Sequence, residues 1–133
     1  MKEWLSADGT PSSIGVAVPA RRLVTEVESY LSEHDIPATT LGADGPRKPD
    51  AVHVGTLHRF KGLEYQHMLV AGVSAGLIPD ARIADHRATD PDRYERELKQ
   101  ARSLLFVAAT RARDSLTITW HGTPSPFLPP SAQ

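Results

Sequence analysis

Two stretches of this sequence are apolar from end to end: Ile14-Gly15-Val16-Ala17-Val18, stopped by Pro19, and Met68-Leu69-Val70-Ala71-Gly72-Val73. A strand with one wet face alternates polar and apolar side chains. A continuous apolar run buries both faces of its strand. Strands of that kind belong to sheets covered by helices on both sides, the layout of α/β proteins with a largely parallel sheet. Few other folds satisfy the condition, so it constrains the chain more than any other feature.

The remaining elements fit this layout. Over residues 20–34, Leu23, Val24, Val27, Tyr30 and Leu31 recur at three- and four-residue spacing, which predicts an amphipathic helix. Ile36-Pro37 ends it, because the residue before a proline disfavours helical backbone. Residues 38–41 and the run Val52-His53-Val54-Gly55 read as short strands, with 42–50 a loop between them. Residues 74–91 carry scattered Pro, Gly and charge and read as loop. The longest helix is expected over 92–109, on an apolar line of Tyr94, Leu98, Ala101, Leu105 and Ala108, with i,i+4 pairing of Arg93 to Glu97 and Glu95 to Lys99. Leu116-Thr117-Ile118-Thr119-Trp120 alternates and makes a last strand. The domain is thus expected over 14–122, between a loose lead-in at 1–13 and an extended, Pro-rich tail at 123–133.

A chain of 133 residues makes one domain. Fifteen basic residues (Lys+Arg 15) face sixteen acidic ones (Asp+Glu 16), for a net charge of -1, which excludes a bulk polycation. Any nucleic-acid contact must come from a local patch. The absence of cysteine removes disulfides, thiolate nucleophiles and Cys-based zinc sites. The histidines lack ligand spacing, so no metal site is expected. No apolar run approaches a membrane span, and a cytoplasmic setting without membrane partners is expected.

Two segments carry chemistry. Thr56-Leu57-His58-Arg59-Phe60-Lys61-Gly62-Leu63-Glu64-Tyr65 begins where a strand ends, and in parallel sheets ligands bind in the crevice beyond the strand C-termini. Its hydroxyl, imidazole, cationic and glycine residues suit a turn that offers N–H groups to phosphate oxygens. In Leu104-Leu105-Phe106-Val107-Ala108-Ala109-Thr110-Arg111-Ala112-Arg113-Asp114, a helix runs out into arginines ahead of the final strand. A guanidinium fixed there can stabilise charge on a transferring phosphoryl group. It can equally be a surface arginine favoured by the helix dipole.

The first segment resembles motif V of UvrD/Rep/PcrA-type superfamily 1 DNA helicases, whose usual pattern is Thr-x-His-x-x-Lys-Gly-Leu-Glu-aromatic. Gly72-Val73-Ser74-Ala75-Gly76-Leu77-Ile78-Pro79 follows with the family's glycine-to-proline turn, and Arg102 through Ala112 resembles motif VI. The resemblance implies a RecA-like second motor lobe. By position, Arg111 matches the arginine finger that reaches the nucleotide γ-phosphate. Gly62 matches a glycine near that phosphate, and Glu64 the acid that contacts the ribose. Thr56 and His58 match residues that touch single-stranded DNA. Set against these roles, Glu64 can be a solvated turn carboxylate, His58 a hydrogen bond within its turn, and Lys61 a simple solvent charge.

There are departures. No Gly-x-x-x-x-Gly-Lys-Ser/Thr phosphate loop (Walker A) occurs in the sequence, nor an Asp-Glu pair after an apolar strand to hold Mg²⁺. Arg59-Phe60 stands where Ser-Ala is commoner, and Phe106 where Tyr is frequent. The loop at 42–50 replaces the large accessory insertion of UvrD-type proteins. ATP and Mg²⁺ are therefore expected only when a first lobe completes the site, and the expected partners are that lobe and single-stranded DNA. The chain by itself is expected to hydrolyse no ATP. The alternative is a stand-alone interaction module, derived from a helicase lobe, that docks a separate protein.

Overall fold

A computed structural model of the chain describes residues 11–42, 45–46 and 50–129. Most of the expected lead-in, and the last residues of the tail, lie outside the described residues. The elements run β1 (Ile14–Val18), α1 (Arg21–Glu33), β2 (Ala38–Gly42), β3 (Gly45–Pro46), β4 (Val52–Thr56), β5 (Tyr65–Val70), α2 (Pro91–Ala109) and β6 (Ala112–Ile118). Short 3-10 turns occupy Pro11–Ser13, Leu57–Phe60 and Ala81–His86.

The strands form one sheet in the order β3-β2-β4-β1-β5-β6. All its pairings are parallel except β3 on β2, a two-residue antiparallel extension inside the expected loop. The α/β fold with a mostly parallel sheet is therefore present. β1 is central and buried along its whole length, as its unbroken apolar run requires.

Each face of the sheet has its own core. Ile14, Val16, Val18, Val52 and Val54 meet Val24 and Leu31 of α1 on one side. Met68, Val70 and Ala17 meet Leu105 and Ala108 of α2, together with Leu57 and Phe60, on the other. Phe60 is fully buried (0% exposed). It sits so close to β1 that a Cβ on Gly15 would lie 2.7 Å from Met68 Sδ and 3.0 Å from the Phe60 ring. That position needs a residue without a side chain.

Several sequence expectations shift. Tyr30, expected in the α1 core, is 60% exposed. It falls beside the line Val24–Val27–Leu31 and packs its ring on His34 outside. β5 begins at Tyr65 and not Met68, and β6 at Ala112 and not Leu116, because the two strands pair from Tyr65–Ala112 onward. The polar Arg113-Asp114-Ser115 hid that pairing. α2 starts at Pro91 and not Asp92, capped by Asp90, whose side chain accepts from the Arg93 amide at 3.2 Å. Arg93 and Glu97 pair as expected, at 3.0 Å, whereas Glu95 and Lys99 form no ion pair among the described residues. The described part of the tail is not a free extension. Ser125 is buried and its hydroxyl donates to the Ile78 carbonyl, and Leu128 joins the α2-side core.

Candidate functional site

Thr56 ends β4 and Tyr65 begins β5, and both strands run parallel to β1, which lies between them. The connection 57–64 must therefore return from the C-terminal edge of the sheet to its N-terminal edge. Val18 pairs with Thr56 and Ala17 with Val70, so Thr56 stands one residue beyond Val70, while Tyr65 stands five before it. At ~3.3 Å per residue the two ends lie about 20 Å apart along the strands. The sequence reading placed the whole stretch in one crevice beyond the strand C-termini. The parallel topology divides it, with Thr56 and His58 at that edge and Gly62 and Glu64 at the opposite one.

At the C-terminal edge the turn Leu57–Phe60 buries Leu57 and Phe60 and leaves His58 and Arg59 exposed. The Thr56 hydroxyl is buried and hydrogen-bonds His58 Nδ1 at 3.0 Å, which holds the imidazole over the end of β4. Both residues line a cleft of 450 Å³. Its walls are Arg21 and Thr25 from the start of α1, Thr40 and Leu41 from the end of β2, and Arg59. Among the described residues no carboxylate lines it. Glu28 of α1, outside the cleft, accepts a hydrogen bond from the Thr40 hydroxyl. Sequence reasoning grouped Arg59 with Thr56 in one segment but missed Arg21, Thr25 and Thr40 as their neighbours. The one available signal was Arg59, basic where the family pattern usually has serine.

At the N-terminal edge Gly62 has φ +80°, a left-handed turn that follows the buried Phe60. Glu64 is exposed and lies 3.6 Å from Arg113 Nε, a surface pair of at most ~1 kcal/mol. The Tyr65 amide donates to the Arg111 carbonyl at 2.9 Å, so the start of β5, next to Glu64, and the Arg111 backbone lie together at this edge. Arg111 is half-buried, and its Nε donates to the Val107 carbonyl at 3.0 Å. That contact anchors the stem of the guanidinium on the end of α2, where the helix dipole favours a cation. Among the described residues it leaves the two amino groups with a single long contact, 3.4 Å to Thr110 Oγ1. Arg111 thus combines the helix-capping position with a fork still able to bind an anion.

Behind this edge the Tyr65 hydroxyl hydrogen-bonds His53 Nδ1 at 2.6 Å, while His53 Nε2 is buried without a partner. Burial holds the His53 imidazole below its ordinary pKa and pushes the Tyr65 phenol up to about 12. The pair is neutral and links β5 to β4 across the intervening β1. Among the described residues no group of His, Asp and Glu is placed to hold a metal ion, and no helix is long and apolar enough to cross a membrane.

The chain is similar to known proteins. Residues 23–123 match the family model of the UvrD-like helicase C-terminal domain. The chain is 33% identical over 97 residues to DNA helicase II of Haemophilus influenzae, covering 73% of this chain and 12% of that one. It is 37% identical over 71 residues to the ATP-dependent DNA helicase Rep of Salmonella typhimurium, covering 53% of this chain and 9% of that one. It therefore spans about a tenth of the length of the curated relatives it matches. In fold it is similar to the crystal structure of the C-terminal domain of a possible DNA helicase from Lactobacillus plantarum. There the TM-score is 0.63 at 16% identity, over 94% of this chain and 65% of that one.

Proposed function

Because the chain belongs to the UvrD-like helicase C-terminal domain family, we propose that it is the second motor lobe of an ATP-dependent superfamily 1 DNA helicase or translocase, acting in the cytoplasm. In this reading the nucleotide meets the N-terminal edge of the sheet and single-stranded DNA the C-terminal edge. Arg111 stabilises charge on the transferring phosphoryl group, with its amino groups as donors. Gly62 lets the backbone approach the phosphates, and Glu64 exchanges its exposed Arg113 contact for the ribose. Thr56 and His58 hold the strand. The phosphate cradle and the Mg²⁺ ligands come from a first lobe, since this sequence carries no Walker A segment.

A single observation carries the reading. One short connection has its hydroxyl and imidazole at the strand-gripping edge, while its other end is bonded through the backbone to Arg111. A machine that converts nucleotide state into grip needs a direct link of this kind. The test is reconstitution. The chain is mixed with a separately produced, Walker-bearing first lobe, and phosphate release is followed with and without single-stranded DNA. Turnover is expected only from the pair. Turnover by this chain alone, or none from the pair, would refute the reading.

A further inference from the structure

The cleft at the C-terminal edge contains more than Thr56 and His58 require. We propose that Arg21 and Arg59 form a phosphate clamp there, seating one nucleotide unit of a single DNA strand. The proposal rests on the strand-binding reading above and adds the residues that set its affinity at this subsite.

Arg21 opens α1, which covers one face of the sheet, and Arg59 sits on the turn that seats Leu57 and Phe60 in the core of the other face. The two side chains reach the same cleft from opposite faces, past the ends of β2 and β4. Both are exposed, and neither has an ion pair or hydrogen bond among the described residues. Among the described residues no carboxylate lines the cleft to balance their charge. A phosphodiester between them does, because each guanidinium presents a planar fork matched to phosphate oxygens. Between the arginines, Val24 and Leu41 supply aliphatic surface and Thr25 a hydroxyl, which suits a sugar and the face of a base. In a chain whose net charge is -1, two unbalanced guanidinium groups in one cleft are a local anion site and not a bulk effect.

The experiment is an amide-shift titration of the isotopically labelled full chain with oligothymidylate at several salt concentrations. Arg21→Gln and Arg59→Gln are measured in parallel, both exposed positions whose spectra report that the fold is intact. Perturbations are expected around the cleft. Each substitution is expected to weaken binding on the order of fivefold and to reduce the salt slope by about 0.7 per lost phosphate contact. Wild-type affinity and slope in both variants, with weaker binding in Thr56→Val or His58→Gln, would overturn the clamp and leave the strand reading standing. No perturbation by the oligonucleotide at low salt would overturn both. A third arm uses thymidine monophosphate and inorganic phosphate. Binding by either as tight as by the strand would make the cleft a small-anion pocket and overturn the clamp.

Discussion

The backbone amide of Tyr65 donates to the carbonyl of Arg111 at 2.9 Å, so the start of one strand and the end of the longest helix are pinned to each other. This bond fixes where the Arg111 side chain departs. It also ties that point to the connection that descends from Thr56.

In the reconstituted pair of lobes, Arg111→Ala should lower the rate of ATP hydrolysis by roughly 10³-fold or more, as loss of a charge-stabilising arginine does elsewhere. Nucleotide binding should stay within a few-fold. Arg111→Lys should recover little, because an ammonium group cannot reproduce the planar fork. Steady-state phosphate release and nucleotide titration together check this, and retained turnover in Arg111→Ala would remove the residue from the chemistry.

Phe60→Ala substitutes the residue commoner in the family pattern. Here the ring is fully buried against Met68, Tyr65 and β1. The substitution should cost about 3–5 kcal/mol in urea unfolding. It should also weaken oligothymidylate binding, since the same turn presents His58 and Arg59. A loss below ~1 kcal/mol would mean that the turn is held by something other than its buried ring.

Two glycines should fail for different reasons. Gly15→Val crowds Met68 Sδ and the Phe60 ring and should destabilise by about 1–3 kcal/mol or more. At Gly62 an added Cβ meets no atom within 4 Å, so Gly62→Ala bears only the cost of its φ of +80°, about 1–2 kcal/mol. Chemical denaturation separates the two. Gly62→Asn, which tolerates left-handed backbone better, should recover part of the loss, whereas no such rescue exists at Gly15.

Stability should fall at both ends of the pH scale through one contact. His53 has a folded pKa below its unfolded 6.5, so the unfolded chain takes up the extra proton, and stability declines as pH drops below about 6.5. Tyr65 shifts from 10.0 to about 12, so the unfolded chain releases its proton first, and stability declines as pH rises from 10 toward 12. His53→Gln should flatten the acid limb and Tyr65→Phe the alkaline one, read as urea midpoints against pH. An unchanged acid limb in His53→Gln would show that this imidazole is not buried neutral.

The sequence made much of the fold legible, and physics explains the parts it did not. Runs such as Ile14–Val18 signal a central parallel strand because both faces must be apolar. β6 was misplaced because Ala112–Ser115 belongs to a sheet through backbone pairing with β5, which leaves no mark on side-chain type. The turns Leu57–Phe60 and Ala81–His86 are too short for periodicity to reveal them. In the described part of the tail, the anchoring of Ser125 and Leu128 leaves no periodic signal in so short and Pro-rich a segment. The motif residues were visible one by one. That they stand at two different edges follows only from strand order, which no local pattern encodes. For the same reason Arg21, 35 residues before Thr56 in sequence, could not be assigned to the same cleft in advance.

The link between the two edges is not drawn out. Just past its buried ring the Leu63 amide donates to the Phe60 carbonyl at 3.1 Å, and Gly62 turns back at φ +80°. Phe60, 0% exposed, is thus a fixed midpoint that holds the two halves of the link separately, Thr56 and His58 on one side and Glu64 on the other. Loosening that one ring would release both halves together, while the sheet beneath kept its register.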